Sequence, residues 1–307
     1  MIRVSKYLNL ILSTKTGDEI LMATKIANVM SAVHGLNRIF FIEIFIISIF
    51  MSKHIYVYDS FTEDQTQKLI SSAGVSKKVD EFLTQKEFNF LKSNIDKITE
   101  WPEHGSTSKY WGFSYSDPLG KIIQKWLEPK LQQLIGNHRL DFLAFQEAIN
   151  PWKIHADIRW YSDKIPYKVV LMPLDVEPTS GPVSLEEWPE TYTIAFKQYN
   201  FMRNLKKEKI GLTSEGNNDQ KHWKKPINNP STENLINGYQ ITVEEHEKYL
   251  SHLPYEHLEG LSIDALHKWT PRSAFYWDNT ALHCADNFLA NNIKTKRCFM
   301  AFTLLQD

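Results

Sequence analysis

Asp141-Phe142-Leu143-Ala144-Phe145-Gln146-Glu147-Ala148-Ile149 is where the chain changes its periodicity. Phe142, Ala144, Gln146 and Ala148 alternate with Leu143, Phe145, Glu147 and Ile149, which is the two-residue period of a strand. Further strand candidates follow at Lys153 to Trp160, Tyr167 to Val176, Pro182 to Glu186, Tyr192 to Phe196, Leu261 to Trp269, Ser273 to Asp278 and Cys298 to Leu305. Gly, Pro, Asn and Asp punctuate them. Many short strands so separated predict a sandwich or barrel.

Upstream of Gly136 the period is helical. Ser60 with Glu63 has capping-box spacing and opens a helix through Leu69-Ile70 that ends near Gly74. Thr84 with Glu87 repeats the device before Phe88, Phe90, Leu91, Ile95 and Ile98, one apolar face. A third helix is expected from about Leu119 to Ile135, closed by Gly136 and bent or split at Pro129. These helices are expected to pack on one outer face of the β core. Tyr56-Val57-Tyr58 reads as a short strand ahead of them.

Composition narrows the class. With 35 Lys+Arg against 36 Asp+Glu, the net charge of −1 excludes a strongly basic nucleic-acid coat and an acidic disordered chain. Two cysteines in 307 residues argue against a disulfide framework. Aromatic residues at 13% suit a β-rich core with an enclosed pocket. The first fifty residues read differently. Ile39 to Phe50 is the most apolar run of the chain, but Arg38 and Glu43 leave it short of the roughly 18 uncharged residues of a membrane span. The expectation is that Met51 is the true start and that residues 1–50 are a non-native or poorly ordered extension, an N-terminal anchor being the alternative. Residues 51–307 then form one domain: 51–139 as helical support, 140–307 as the β core, interrupted at about 200–256. That insert is polar and opens a short helix at Thr242-Val243-Glu244-Glu245. It is expected to act as a lid over the site. Its basic stretch, Arg203 to Lys225, reads as a solvated face rather than a nucleic-acid contact. A cytoplasmic protein with no membrane partner is expected.

Chemistry concentrates in Lys153-Ile154-His155-Ala156-Asp157-Ile158. On a strand His155 and Asp157 point to one face, and burying both there is costly unless something binds them. Trp277-Asp278-Asn279-Thr280-Ala281-Leu282-His283 delivers a second imidazole after a turn, and Arg297 heads the last apolar strand. Two His and one carboxylate on one face of a metal leave open positions, which suits non-haem Fe(II). A guanidinium fork suits a ligand carboxylate. His252, His257 and His267 are read as core or surface residues, and Cys284 and Cys298 as packing residues on the layer opposite the site.

With His155-Ala156-Asp157, His283 and Arg297 in that order, the chain resembles the 2-oxoglutarate/Fe(II)-dependent oxygenases. Ser180-Gly181-Pro182-Val183 is similar to the Gly-Pro-hydrophobic strand of the phytanoyl-CoA-hydroxylase-like and prolyl-hydroxylase-like members. The resemblance covers about 140–307. It implies a mainly β fold with a helical supporting layer, the double-stranded β-helix or jelly roll. It also implies a dioxygenase using Fe(II), 2-oxoglutarate and O₂ on an unidentified organic substrate. His155, Asp157 and His283 would hold the metal, and Arg297 would pair with the distal carboxylate of 2-oxoglutarate. Phe299 stands where many members have Ser, so the second anchor falls to Tyr161, Tyr167 or Lys168, with Lys168 the substitute should Arg297 prove misplaced. The alternatives are a non-catalytic jelly-roll binding module and a cupin-type metal enzyme that does not use 2-oxoglutarate.

Overall fold

The computed structural model describes residues 59–60, 62–157, 164–181, 183–184, 187–199, 202–203, 236 and 238–306. Tyr56 to Tyr58, the extension 1–50, and most of the basic stretch lie outside them. In chain order the elements are β1 (Asp59–Ser60), α1 (Glu63–Ser72), β2 (Lys77–Val79), α2 (Gln85–Ile95), β3 (Glu103–His104), β4 (Ser108–Phe113), α3 (Pro118–Ile135), β5 (His138–Ala148), β6 (Pro166–Pro178), β7 (Tyr192–Tyr199), β8 (Met202–Arg203), a helical segment α4 (Val243–Glu245, continued as a π-helical turn over His246–Leu250), β9 (Ile263–Lys268), β10 (Ala274–Asp278), β11 (Ala281–Ala285) and β12 (Ile293–Leu305).

The larger sheet runs β2-β10-β6-β12-β5-β4-β3 and the smaller β11-β7-β9, all pairs antiparallel. His155 adds a single bridge to β11 at His283. From β5 onward the chain therefore visits large sheet, small sheet (at His155), large (β6), small (β7, β9), large (β10), small (β11) and large (β12). The four-strand cores read β10-β6-β12-β5 and His155-β11-β7-β9. That interleaving is a double-stranded β-helix.

Three apolar layers hold it. Between the sheets lie Val169, Leu171, Phe275, Trp277, Cys298, Met300 and Phe302. On the outer face of the large sheet, Phe145, Val170, Met172, Phe299 and Ala301 meet Phe88, Leu91, Ile123, Leu127 and Leu131 of α2 and α3. On the outer face of the small sheet, Ile194, Phe196, Leu282 and Cys284 meet Ile241, Leu250, Leu253, Leu258 and Leu261. The described end of the insert is thus a structural layer, and its 204–235 stretch lies outside the described residues.

Several sequence expectations shift in detail. The first helix is capped by Thr62 with Gln65 rather than by Ser60 with Glu63, because Thr62 takes the extended backbone that an N-cap needs. The box at Thr84 and Glu87 is present. Pro129 sits within a continuous α3, and Gly136 ends that helix at φ 77°. Residues 51–139 are not helical alone, since β2, β3 and β4 extend the large sheet. Most of the expected Pro182 to Glu186 strand lies outside the described residues; ahead of it a turn at Thr179 and Ser180 leads into Gly181. Of the expected Lys153 to Trp160 strand, residues 158–160 lie outside the described residues, and 153–157 contribute one bridge, at His155.

Candidate metal centre

The bridge that closes the small sheet also builds the site. His155 N–H donates to His283 O at 3.0 Å and His283 N–H to His155 O at 2.9 Å. Directly opposed residues of an antiparallel pair share a face, so both imidazoles enter the space between the sheets, their ring centroids 4.2 Å apart. Asp157 follows two residues after His155. Its Oδ2 lies 3.1 Å from His283 Nε2 and its Oδ1 3.7 Å from His155 Nε2. One donor atom from each of the three residues falls within 4.8 Å of the others.

The donor set fits a divalent cation. His155 Nδ1 donates to Lys153 O at 2.7 Å and His283 Nδ1 to Ala281 O at 3.0 Å, which puts each ring's proton on Nδ1 and its Nε2 lone pair toward Asp157. Three facial ligands at about 2.1 Å from one ion would stand about 3 Å apart, close to the separations found. Trp152 and Trp277 flank the rings at centroid distances of 4.9 and 4.6 Å. Trp277, Phe275, Met300 and Phe302 pack in the apolar layer between the sheets.

Arg297 does not join this group. Its Nε donates to Glu147 Oε2 at 2.6 Å and its Nη1 to Asp96 Oδ1 at 3.2 Å, with Asp175 at 4.0 Å. Asp96 caps the end of α2, so the guanidinium lies on the helix side of the large sheet. Burial raises the Glu147 carboxyl, but hydrogen bonds from Lys109 and Arg297 outweigh it and hold that group below its ordinary value. The physical reason for the correction is parity: Phe299 and Ala301 pack on the helices, Cys298 and Met300 between the sheets. Lys296 is therefore the inward cation.

Lys296 is 2% exposed. Its Nζ donates to Tyr192 O at 2.9 Å and to Asp286 Oδ1 at 3.3 Å, and it stands 4.2 Å over the Trp269 ring. Burial lowers its pKa while Asp286 opposes the shift. Neither Lys296 nor Asp286 was singled out from sequence; strand parity, counted from Phe299 on a helix-packed face, is the signal that finds Lys296. Cys298 shares its face, with Sγ 3.6 Å from Gln146 Oε1. It points inward rather than to the opposite layer, whereas Cys284 packs on the outer layer as expected.

The remaining candidates disperse. Lys168 Nζ is bound by Asp278 Oδ1 and donates to Ser72 O at 3.2 Å, while Gly74 N–H donates to Asp278 Oδ2 at 2.9 Å. That pair is closed on itself beneath the end of α1. Burial raises the Asp278 carboxyl, with Lys168 opposing. Tyr167 Oη donates to Ile135 O at 2.8 Å, on the helix side. Tyr161 lies outside the described residues. His267 and Ser76 are hydrogen-bonded in the protein wall.

The solved structures the chain resembles include a viral collagen prolyl hydroxylase from Paramecium Bursaria Chlorella virus-1 in complex with 2-oxoglutarate (9% identity, 76% of this chain and 97% of that one, TM-score 0.38). They also include the non-haem α-ketoglutarate-dependent carbocyclase SnoK of nogalamycin biosynthesis (8%, 82% and 88%, TM-score 0.44). A third is HygX from Streptomyces hygroscopicus with nickel and 2-oxoglutarate bound (10%, 80% and 88%, TM-score 0.39). No protein-family model and no curated protein matches the chain. The fold stated above rests on strand order and register. Among the described residues no helix is long and apolar enough to cross a membrane.

Proposed function

We propose that the protein is an Fe(II)-dependent dioxygenase that couples oxidative decarboxylation of 2-oxoglutarate to oxidation of a second organic substrate. The observation that carries this reading is the convergence of His155, Asp157 and His283 within 4.8 Å, between two sheets of a jelly roll. Fe(II) held there would supply the O₂-dependent redox chemistry.

The chain's own residues supply placement. The carbonyls of Lys153 and Ala281 fix the two ring tautomers. Asp157 contributes the anionic ligand and balances part of the metal's charge. Lys296 takes the role first given to Arg297: two of its three N–H donors serve Tyr192 and Asp286, and the third is left for the distal carboxylate of the oxo acid. Trp277, Met300 and Phe302 exclude water from the reacting centre.

The test is anaerobic. Adding 2-oxoglutarate to the Fe(II)-loaded protein should produce a visible metal-to-ligand charge-transfer band, and admitting O₂ should yield succinate. His283→Ala should abolish both while the protein stays folded by circular dichroism. A folded, iron-loaded wild type that gives no band overturns the reading.

A further inference from the structure

Two buried lysine–aspartate pairs bracket β11, the strand that carries His283. Ahead of it, Asp278 ends β10 opposite Lys168 of β6 and is bound by that lysine, while its second carboxylate oxygen accepts from Gly74 N–H at 2.9 Å. Behind it, Asp286 Oδ1 accepts from Lys296 Nζ of β12 at 3.3 Å and from Thr191 Oγ1 at 2.7 Å. Each of these five side chains belongs to a residue at most 5% exposed. Little else fixes where β11 lies. Its inner face offers Ala281, His283 and Ala285 and its outer face Leu282 and Cys284, so both are mainly apolar. Its register with β7 shifts between Ala281 and His283. On its other side it has one bridge, to His155, among the described residues.

We infer that these two pairs, with Thr191, are positioning residues that pin β11 at both ends and so fix the register that turns His283 inward. As a statement about a metal ligand, the inference rests on the reading under Proposed function. A slip of one residue exchanges the two faces of a strand. In β11 it would set His283 in the outer layer with Leu250 and Leu258, and bring Leu282 or Cys284 between the sheets. Both places are apolar, so packing alone discriminates weakly between the registers. A buried ion pair discriminates strongly. It adds little over apolar residues of equal volume, but separating its partners leaves uncompensated charge in the interior. Any slip carries Asp286 away from Lys296 and Thr191, and with it the Asp286 N–H that donates to Tyr192 O at 3.3 Å. The native register reaches the site through the backbone. Ala285 N–H donates to Trp152 O at 3.1 Å, and His283 and His155 exchange both of their backbone bonds.

The experiment reads amide hydrogen exchange, residue by residue, in the metal-free protein, and Fe(II) affinity by anaerobic calorimetry without co-substrate. Lys296→Met/Asp286→Ala removes one pin and leaves neither charge behind. Exchange at His283 and Ala285 should then accelerate at least about tenfold more than in β5 and β6, and Fe(II) should bind about tenfold or more weakly. Lys168→Met/Asp278→Ala should act in the same direction. Thr191→Val, the gentlest change, should speed exchange in β11 by about threefold or more, while Thr191→Ser, which keeps the hydroxyl, should match wild type. Exchange that rises equally in β11 and the large sheet in Thr191→Val, or does not rise at all, overturns the inference. That variant answers even if the double variants fail to fold. Selective loss of protection in Lys296→Met/Asp286→Ala with unchanged Fe(II) affinity also overturns it. A wild type that binds no Fe(II) overturns the oxygenase reading, while the exchange measurements still decide whether β11 is pinned.

Discussion

Lys296 and Arg297 are adjacent cations on β12, yet they belong to different parts of the molecule. Arg297 joins Glu147 and Asp96 where the large sheet meets α2. Lys296 turns between the sheets, next to Asp286 and above Trp269. The difference is one step of the strand, which moves a side chain from one face to the other. It teaches that residue type alone does not say which way a cation points: the better carboxylate binder by chemistry holds the wall, and the point charge faces the space between the sheets.

The sharpest way to break the comparison is to neutralise each cation in turn. Lys296→Met leaves Asp286 buried without its counter-ion, a loss of roughly 3–5 kcal/mol of stability, and should weaken 2-oxoglutarate binding at least about a hundredfold. The double variant Lys296→Met/Asp286→Asn removes both charges, should recover most of the stability and should still bind 2-oxoglutarate poorly. Arg297→Met should leave the charge-transfer titration within about threefold of wild type, since its partners line the opposite face. If Arg297→Met abolishes the band and the double variant retains it, the assignment of inward and outward faces is reversed.

The same two faces differ in packing. Phe299 is fully buried among Phe113 and Phe145, with ring centroids at 6.4 and 5.1 Å. Phe299→Ala should cost about 3–4 kcal/mol in chemical denaturation without altering the charge-transfer titration with 2-oxoglutarate. A change in that titration would mean that the helix-side layer reaches into the site. It would also undo the separation of wall from site.

How much of this could be read in advance follows from the same strand. Alternation identified β5, and runs rich in apolar residues bounded by turn residues identified β6, β7, β9, β10 and β12. The order His155, Asp157, His283 pointed to three side chains that the structure brings within 4.8 Å, a group that could hold a metal, because two candidate ligands two apart and an imidazole behind a turn form a readable pattern. Parity on β12 was not legible. Both of its faces are buried, one against helices and one between sheets, so Cys298, Phe299, Met300, Ala301 and Phe302 give no apolar-polar alternation to say which way Lys296 or Arg297 points. Asp286 was not legible either, since its role exists only once β11, β12 and the start of β7 are assembled. The edge strands β2, β3 and β4 are short and mixed, and they were absorbed into the reading of a helical layer. Register across a sheet, not local pattern, recruits them.

The smallest expected effect extends the contrast from cations to imidazoles. His283 is buried in the site with its Nε2 toward Asp157, whereas His267 on β9 is buried in the wall, stacked on Phe275 at 5.1 Å and hydrogen-bonded to Ser76. Burial depresses the His267 pKa from 6.5 to about 4, with Lys78 adding to the shift. The folded state then binds fewer protons than the unfolded chain below pH 6.5. Its contribution is fully present above that value and is lost as pH falls toward 4. Between pH 7.5 and 5 the single group should cost about 2 kcal/mol of stability. His267→Gln keeps a side chain able to hydrogen-bond Ser76 and removes the titration. Every other histidine is common to both proteins, so the difference in their acid sensitivity isolates this one. Denaturation at the two pH values should therefore show a smaller acid loss in His267→Gln than in wild type. Equal losses would mean that the imidazole takes up its proton without leaving the wall. A buried titratable group outside the site would then be as tolerant of charge as one that faces a ligand.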